Sequence, residues 1–171
     1  MYLTIERGKA IITFVVLEVI SLKWILQQLE QFKDTGLSFD ETVDVSDLKK
    51  RDPEIRDISP VQVVGNAVFE PRKISFFLEI KGKMVLPSSK TLEDVNYPFH
   101  LHTVEVFRLD SSVEEEDDQE EIHDIENETV DLLPYVKEAI LVEKPIRVVG
   151  ADEEPLSSGN DWEMVSEKQQ K

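Results

Sequence analysis

The chain has no cysteine among its 171 residues. A disulfide-stapled scaffold and a thiolate zinc site are thereby excluded, and the composition is compatible with a reducing, cytosolic setting. Glycine is scarce, with six scattered residues, and no glycine-rich phosphate loop can be built from them. No nucleophile elbow occurs, and a cysteine nucleophile is impossible. Positive charge is missing from one long stretch: between Leu109 and Val136 there is no Lys or Arg. No apolar run reaches the ~20 residues that a membrane-spanning helix needs.

What is present is acid. Nineteen Lys and Arg against 36 Asp and Glu leave a formal net charge of −17, which opposes binding to a bare phosphate backbone unless the charges are segregated. They are. The stretch from Leu109 to Val136 carries 12 acids, among them Glu114, Glu115, Glu116, Asp117 and Asp118. Residues 49–108 carry ten Lys and Arg against eight Asp and Glu, a net of +2. A mildly basic body is interrupted by an acidic insert. This insert reads as a solvated, disordered loop over 110–128, which lacks the glycine and alternation of a calcium loop. The sharper reading is an arm that contacts a basic protein such as a ribosomal protein, speeding encounter more than adding affinity.

Residues 1–21 admit three readings. Arg7 and Lys9 precede an apolar run from Ala10 to Leu22 that contains Glu18. That is too short and too charged for a membrane span, and no small-x-small cleavage site follows to complete a secretory signal. A real buried segment is the second reading. The favoured one is a misassigned start. Bacterial genes can begin at leucine codons, and Leu17-Glu18-Val19-Ile20 can be encoded as TTG GAG GTG ATT, which contains a ribosome-binding sequence just before Leu22. The expected organisation is therefore an extension over 1–21, one domain over 22–149 and a flexible tail over 150–171.

Within the domain, Trp24, Ile25, Leu26, Leu29 and Phe32 recur at helical spacing, so residues 23–33 read as a short amphipathic helix closed near Gly36. Leu37 to Val45 alternates as a half-buried strand. Ser46 is positioned as a helix cap before Asp47-Leu48-Lys49-Lys50, and Pro53 halts that helix. Val61, Val63, Ala67 and Phe69 alternate towards Glu70-Pro71-Arg72, and Ile74, Phe76, Leu78 and Ile80 alternate away from it, a hairpin signature. Met84-Val85-Leu86 extends the second strand, and Leu92 to Leu109 forms another. Parity there passes from Val95, Tyr97, Phe99 and Leu101 to Val104 and Val106, which predicts a bulge or bend, and Pro98 predicts a sheet edge. Leu132, Leu133, Val136, Ile140 and Leu141 share one helical face, with Pro134 in the first turn and Pro145 beyond the end. The expected class is α+β: an antiparallel meander, open or partly closed into a barrel, with a helix at each end.

Candidate chemistry is thin. His100 and His102 lie two apart on a strand and share a face, so a third ligand would complete a metal site. No fixed-spacing acid supplies it, and two surface histidines is the preferred reading. His123 reads as a bystander in the acidic tract. Lys49, Lys50, Arg51 and Arg56 form a small basic cluster. Arg72, Lys73, Lys81 and Lys83 lie along the hairpin, where Lys73, Lys81 and Lys83 share the parity of Phe77. A face mixing cations with an aromatic suits RNA, although an ordinary solvated sheet face looks the same.

Several segments resemble the YceD family. They are Leu22-Lys23-Trp24 with the glutamine-containing helix after it, Leu48 through Pro60, Val85 through Val95 with Tyr97-Pro98-Phe99, and Asp131 through Leu141 with Pro145. The Asp161-Trp162 tail resembles the Gram-positive branch. The part around Pro134 and Glu138 is the most specific. The resemblance implies a bacterial cytoplasmic protein needed for accumulation of 23S ribosomal RNA, with no established enzymatic activity. No cofactor, metal, membrane or small-molecule substrate is expected. Family members typically begin at the Lys-Trp position, in keeping with a start at Leu22. Many carry Cys-x-Arg-Cys/Thr in the turn where this chain has Ser88, Lys90 and Thr91, so that turn reads as structural here. The expected role is a non-enzymatic ribosome-biogenesis factor binding 23S rRNA or a pre-large-subunit particle. RNA-contact candidates are Lys49, Lys50, Arg51, Arg56, Arg72, Lys73, Lys81, Lys83 and Lys90. The alternatives are a chaperone for a basic large-subunit ribosomal protein, acting through the acidic tract, and an rRNA-processing enzyme, for which carboxylates on a floppy tract are a poor scaffold.

Overall fold

The computed structural model describes the backbone of residues 2–6 and 9–13, and residues 22–109 and 121–150 in full. Strands β1 (Tyr2–Glu6) and β2 (Lys9–Thr13) pair with each other as an antiparallel two-stranded sheet. Strand β3 (Lys23–Ile25) leads into the short helix α1 (Leu26–Glu30). Next come β4 (Leu37–Val43), the one-turn helix α2 (Leu48–Arg51), β5 (Asp57–Ile58) and β6 (Val61–Phe69). The long strands β7 (Lys73–Pro87) and β8 (Asp94–Arg108) follow. Strand β9 (Ile122–Asp124), strand β10 (Thr129–Asp131) and helix α3 (Leu133–Glu143) complete the described chain.

The main sheet has six strands, ordered β4-β6-β7-β8-β9, with β5 on β7. It is mixed and open, not a barrel: β4 through β8 run antiparallel, and β9 joins β8 in parallel. Its end strands β4 and β9 do not pair with each other, so the sheet does not close. The hairpin of β6 and β7 follows the alternation of its residues. Ile74, Phe76, Leu78 and Ile80 face the core, while Phe77 and Lys81 are exposed. The bulge expected in β8 is absent. Pairing with β7 runs unbroken from Lys73↔Arg108 to Pro87↔Asp94, so Val104 simply lies on the outer face. The apparent parity switch arose because that outer face is partly apolar. Pro98 does sit on an edge, since β9 covers β8 only at Val106 to Arg108.

Two other local expectations change. Residues 23–33 are not one helix: Lys23 to Ile25 pair with Asp131 to Thr129. A strand partner over 100 positions away overrides a local apolar stripe that fits a helix. Ser46 does not cap α2; its backbone N–H and hydroxyl both bond the Asp44 carboxylate, at 2.8 and 3.1 Å, closing a turn before the helix. Gly36 does mark the stop after α1, at φ +77°.

One core runs from Leu22 to Val148. An aromatic row crosses it. Trp24 stacks on Phe76 at 5.9 Å and meets Phe39 at 5.1 Å. Phe76 packs edge-on to Phe107, and Phe107 edge-on to Tyr135 of α3. Leu132, Val136 and Ile140 seat α3 on that layer. The expected tail from 151 onwards, and residues Glu114 to Asp118 of the acidic tract, lie outside the described residues. Residues 121–128, expected to be disordered, instead carry β9 and the turn before β10. Among the described residues no helix is long and apolar enough to cross a membrane.

Candidate nucleic-acid interface

The sequence-predicted cations fall into two groups, because β7 carries Lys73 near one end and Lys83 near the other, about 30 Å apart at strand rise. At the far end β5 is bonded across to β7: the Arg56 N–H donates to the Val85 carbonyl at 2.9 Å, and Ser59 N–H to Lys83 at 2.9 Å. This brings α2 beside Lys83. Lys49 and Lys83 both act on the Asp57 carboxyl, and the segments meeting at this end also carry Lys50, Arg51, Arg56 and Lys81. Arg72 and Lys73 sit at the opposite, hairpin end, where Lys73 pairs with Glu70 at 3.5 Å.

Within the larger group the cations differ in what holds them. Lys49 pairs with Asp57 at 3.0 Å. That hydrogen bond is the main cause holding the Asp57 carboxyl below its ordinary 3.8, with Lys83 adding a weaker pull. Arg56 spans to the turn after β7. It pairs with Asp94 and donates to the Leu92 carbonyl at 2.8 Å. Lys81 pairs with Glu79 at 2.5 Å. Lys50, Arg51 and Lys83 are exposed and make no ion pair among the described residues. Lys90 is half-buried in the turn, where the Ser88 hydroxyl accepts its N–H at 3.1 Å.

The outer face of the sheet continues from these cations in register. Lys81 lies opposite His100, Glu79 opposite His102, and Phe77 opposite Val104. Phe77 and Val104 are 44% and 51% exposed. They border a depression of about 690 Å³ that also takes in Asn66, Glu79 and His102. Phe77 shares this face with Lys81, four residues along β7, and exposed aromatics on such faces stack unpaired bases elsewhere.

The histidines differ from expectation. His100 Nε2 lies 2.6 Å from Glu79 Oε1, so an acid does complete the set. It comes from the neighbouring strand, which spacing along one strand cannot reveal. Hydrogen bonds from Lys81 and then His100 hold the Glu79 carboxyl below its ordinary 4.5. His123 is no bystander. Its Nε2 lies 2.8 Å from the carboxylate of Glu105, itself 8% exposed, and its ring packs tilted against Tyr135 with centroids 4.1 Å apart. The Thr103 hydroxyl also donates to Glu105, at 2.7 Å. Burial, then the Glu105 charge, pushes the Tyr135 hydroxyl above its ordinary value.

The segment around α3 shows what its residues do. Pro134 occupies the first turn, and the Asp131 carboxylate accepts the Leu133 N–H at 3.0 Å. Glu138 is exposed and lines a hollow with Glu105, Glu121, His123 and Glu143. Pro145 follows Lys144, which pairs with Asp52 at 2.6 Å and with Glu54.

Residues 77–171 match the model of a family described as large ribosomal RNA subunit accumulation protein YceD. The chain is similar to the uncharacterized protein YlbN of Bacillus subtilis, at 40% identity over 154 residues, covering 88% of each chain. No solved structure matches. The matched family segment includes most of β7 and all of β8, β9 and α3, and the relative extends the likeness across the α2 cluster. This chain therefore belongs to the YceD family, the family associated with accumulation of large-subunit ribosomal RNA.

Proposed function

We propose that the protein supports accumulation of large-subunit rRNA by binding, not by catalysis, and that it holds rRNA or a pre-large-subunit particle against one end of its main sheet. The observation that carries this reading is the gathering of Lys49, Lys50, Arg51, Arg56, Lys81 and Lys83 at that end, three of them without ion pairs among the described residues. Phosphate contacts by such residues position RNA and give salt-dependent affinity. Phe77 offers a stacking surface on the same face, further along β7. The acidic tract then keeps other polyanion contacts off the rest of the molecule.

Charge reversal tests the assignment. Lys50→Glu, Arg51→Glu and Lys83→Glu together should weaken binding to 23S rRNA fragments by at least about ten-fold at low salt and flatten the salt dependence. The pair Arg72→Glu and Lys73→Glu should have a smaller effect. Equal binding by the triple variant and the unaltered protein would remove this surface from consideration.

A second reading, an acidic chaperone for a basic large-subunit ribosomal protein, is favoured by the hollow beside α3. There Glu105, Glu121, Glu138 and Glu143 continue the negative charge of the tract onto the folded surface. Crosslinking in cells, with sequencing of attached RNA and mass spectrometry of attached protein, separates the two readings. Crosslinks focused on one region of 23S rRNA support the first; a single basic ribosomal protein without RNA supports the second.

A further inference from the structure

We propose that Glu79, His100 and His102 form a binding site for one divalent transition-metal ion of the zinc class. Successive outward positions of β8 carry the two histidines, and their ring centroids are 4.9 Å apart. The register between β7 and β8 sets Glu79 directly opposite His102. One ligand atom from each of the three residues lies within 4.8 Å of the others. Ligand atoms around a tetrahedral zinc stand somewhat closer than this, at a spacing that side-chain rotation on an open sheet face reaches without backbone movement.

The donor set points to the ion. Two imidazole nitrogens and one carboxylate oxygen suit Zn²⁺, Co²⁺, Ni²⁺ or Cu²⁺, whereas Mg²⁺ and Ca²⁺ prefer all-oxygen shells. Three protein ligands leave coordination positions open for a further donor. Glu79 and His102 also line the depression that holds Asn66, Phe77 and Val104, so a donor from a bound molecule can reach the ion from that side. Lys81 is the built-in competitor. Its ammonium sits 2.5 Å from Glu79 Oε1 and occupies the carboxylate that the ion would take. Lys81 is exposed and its displacement into solvent is cheap. Metal uptake therefore competes with the Lys81–Glu79 pair for Oε1.

The site is tested on full-length, tag-free protein stripped with a chelator. Zn²⁺ binding is measured by calorimetry, and Co²⁺ is used as a spectroscopic probe of coordination. The expected result is one Zn²⁺ per chain and a visible Co²⁺ spectrum of low coordination number. His100→Ala and His102→Ala should each weaken Zn²⁺ by at least about ten-fold, and Glu79→Gln by a similar factor. Lys81→Met should tighten it by up to about five-fold, the size of one exposed ion pair. His123→Gln, at the other histidine, should leave it unchanged. Diffuse binding by the acidic tract would survive in the His100→Ala/His102→Ala double variant. If that variant binds Zn²⁺ as the unaltered protein does, or the unaltered protein takes up no stoichiometric ion, the site does not exist.

Discussion

Two glycines inside strands show how single residues set the sheet's thickness. A Cβ at Gly82 would lie 2.6 Å from Phe99 Cζ and 2.7 Å from Val61 Cγ1. Both neighbours are buried, Val61 completely, so neither has room to retreat. At Gly65 the Cβ would meet Phe39 Cζ at 2.4 Å and Cδ2 of the buried Leu78 at 2.9 Å, but the closer clash is with Phe39, which is only half-buried and whose ring can swing. Gly82→Ala should therefore destabilise by about 1–3 kcal/mol, as overpacked cores do, and Gly65→Ala by less. Urea midpoints of the two variants check the order. If Gly65→Ala is the more damaging, the ring of Phe39 is fixed more firmly than its exposure implies. At this same scale Ser88 closes the turn between β7 and β8. It is fully buried, and its hydroxyl accepts the N–H groups of Lys90 and Thr91 at 3.1 and 3.3 Å, a structural turn as its residue type suggested.

Strand β9 is the least expected element. Three residues pair with β8, and no apolar repeat announces them within a run of acids. Its hold comes from side chains: His123 reaches the buried Glu105 carboxylate and packs against Tyr135, and Arg108 lies 4.0 Å from Asp124. Removing the imidazole takes one hydrogen-bond partner from the buried Glu105 carboxylate, leaves the bond from the Thr103 hydroxyl, and strips β9 of its contact with Tyr135. His123→Ala should abolish hydrogen-exchange protection of residues 122–124 while leaving β6 and β7 protected. Protection that persists would mean backbone pairing alone holds the strand. The elements that were legible beforehand are those whose partners lie nearby in sequence. The β6–β7 hairpin, β8 and α3 all follow alternation or helical spacing. The strand β3, by contrast, is defined by β10, and the third corner of the histidine site by a residue on the adjoining strand. Periodicity reports which face a residue takes, not which distant residue faces it. The same limit applied to the cations: their shared face was readable, their division between two ends of β7 was not.

Across the whole molecule, helix α3 ties the last described part of the chain to the first third through ion pairs. Lys137 reaches Asp47 at 2.9 Å, and Lys144 reaches Asp52 at 2.6 Å and also Glu54. The Lys144–Asp52 pair is shielded, with side-chain exposures of 16% for Lys144 and 21% for Asp52, whereas Glu54 is largely exposed. The hydrogen bond from Lys144 holds the Asp52 carboxyl below its ordinary 3.8. Burial works to lower Lys144, but the bonds to Asp52 and Glu54 outweigh it and leave the ammonium above its ordinary 10.5. The two shifts give stability in opposite directions of pH. For Asp52, whose folded value is depressed, the contribution is present above 3.8 and is lost as pH falls through the lower folded value. For Lys144, whose folded value is raised, the contribution is complete below 10.5 and is lost as pH rises through the higher folded value. The pair therefore acts in full across the interval between them. Lys144→Met leaves a partly buried carboxylate without its cation, and should destabilise the protein by about 1–2 kcal/mol near neutrality, between the exposed and buried limits for ion pairs. The difference in unfolding free energy between variant and unaltered protein should be widest between those two values and shrink at both ends. Urea titrations at a series of pH values measure that difference directly. A difference that stays constant with pH would show that Lys144 holds α3 through its apolar stem, with the charge pair contributing nothing.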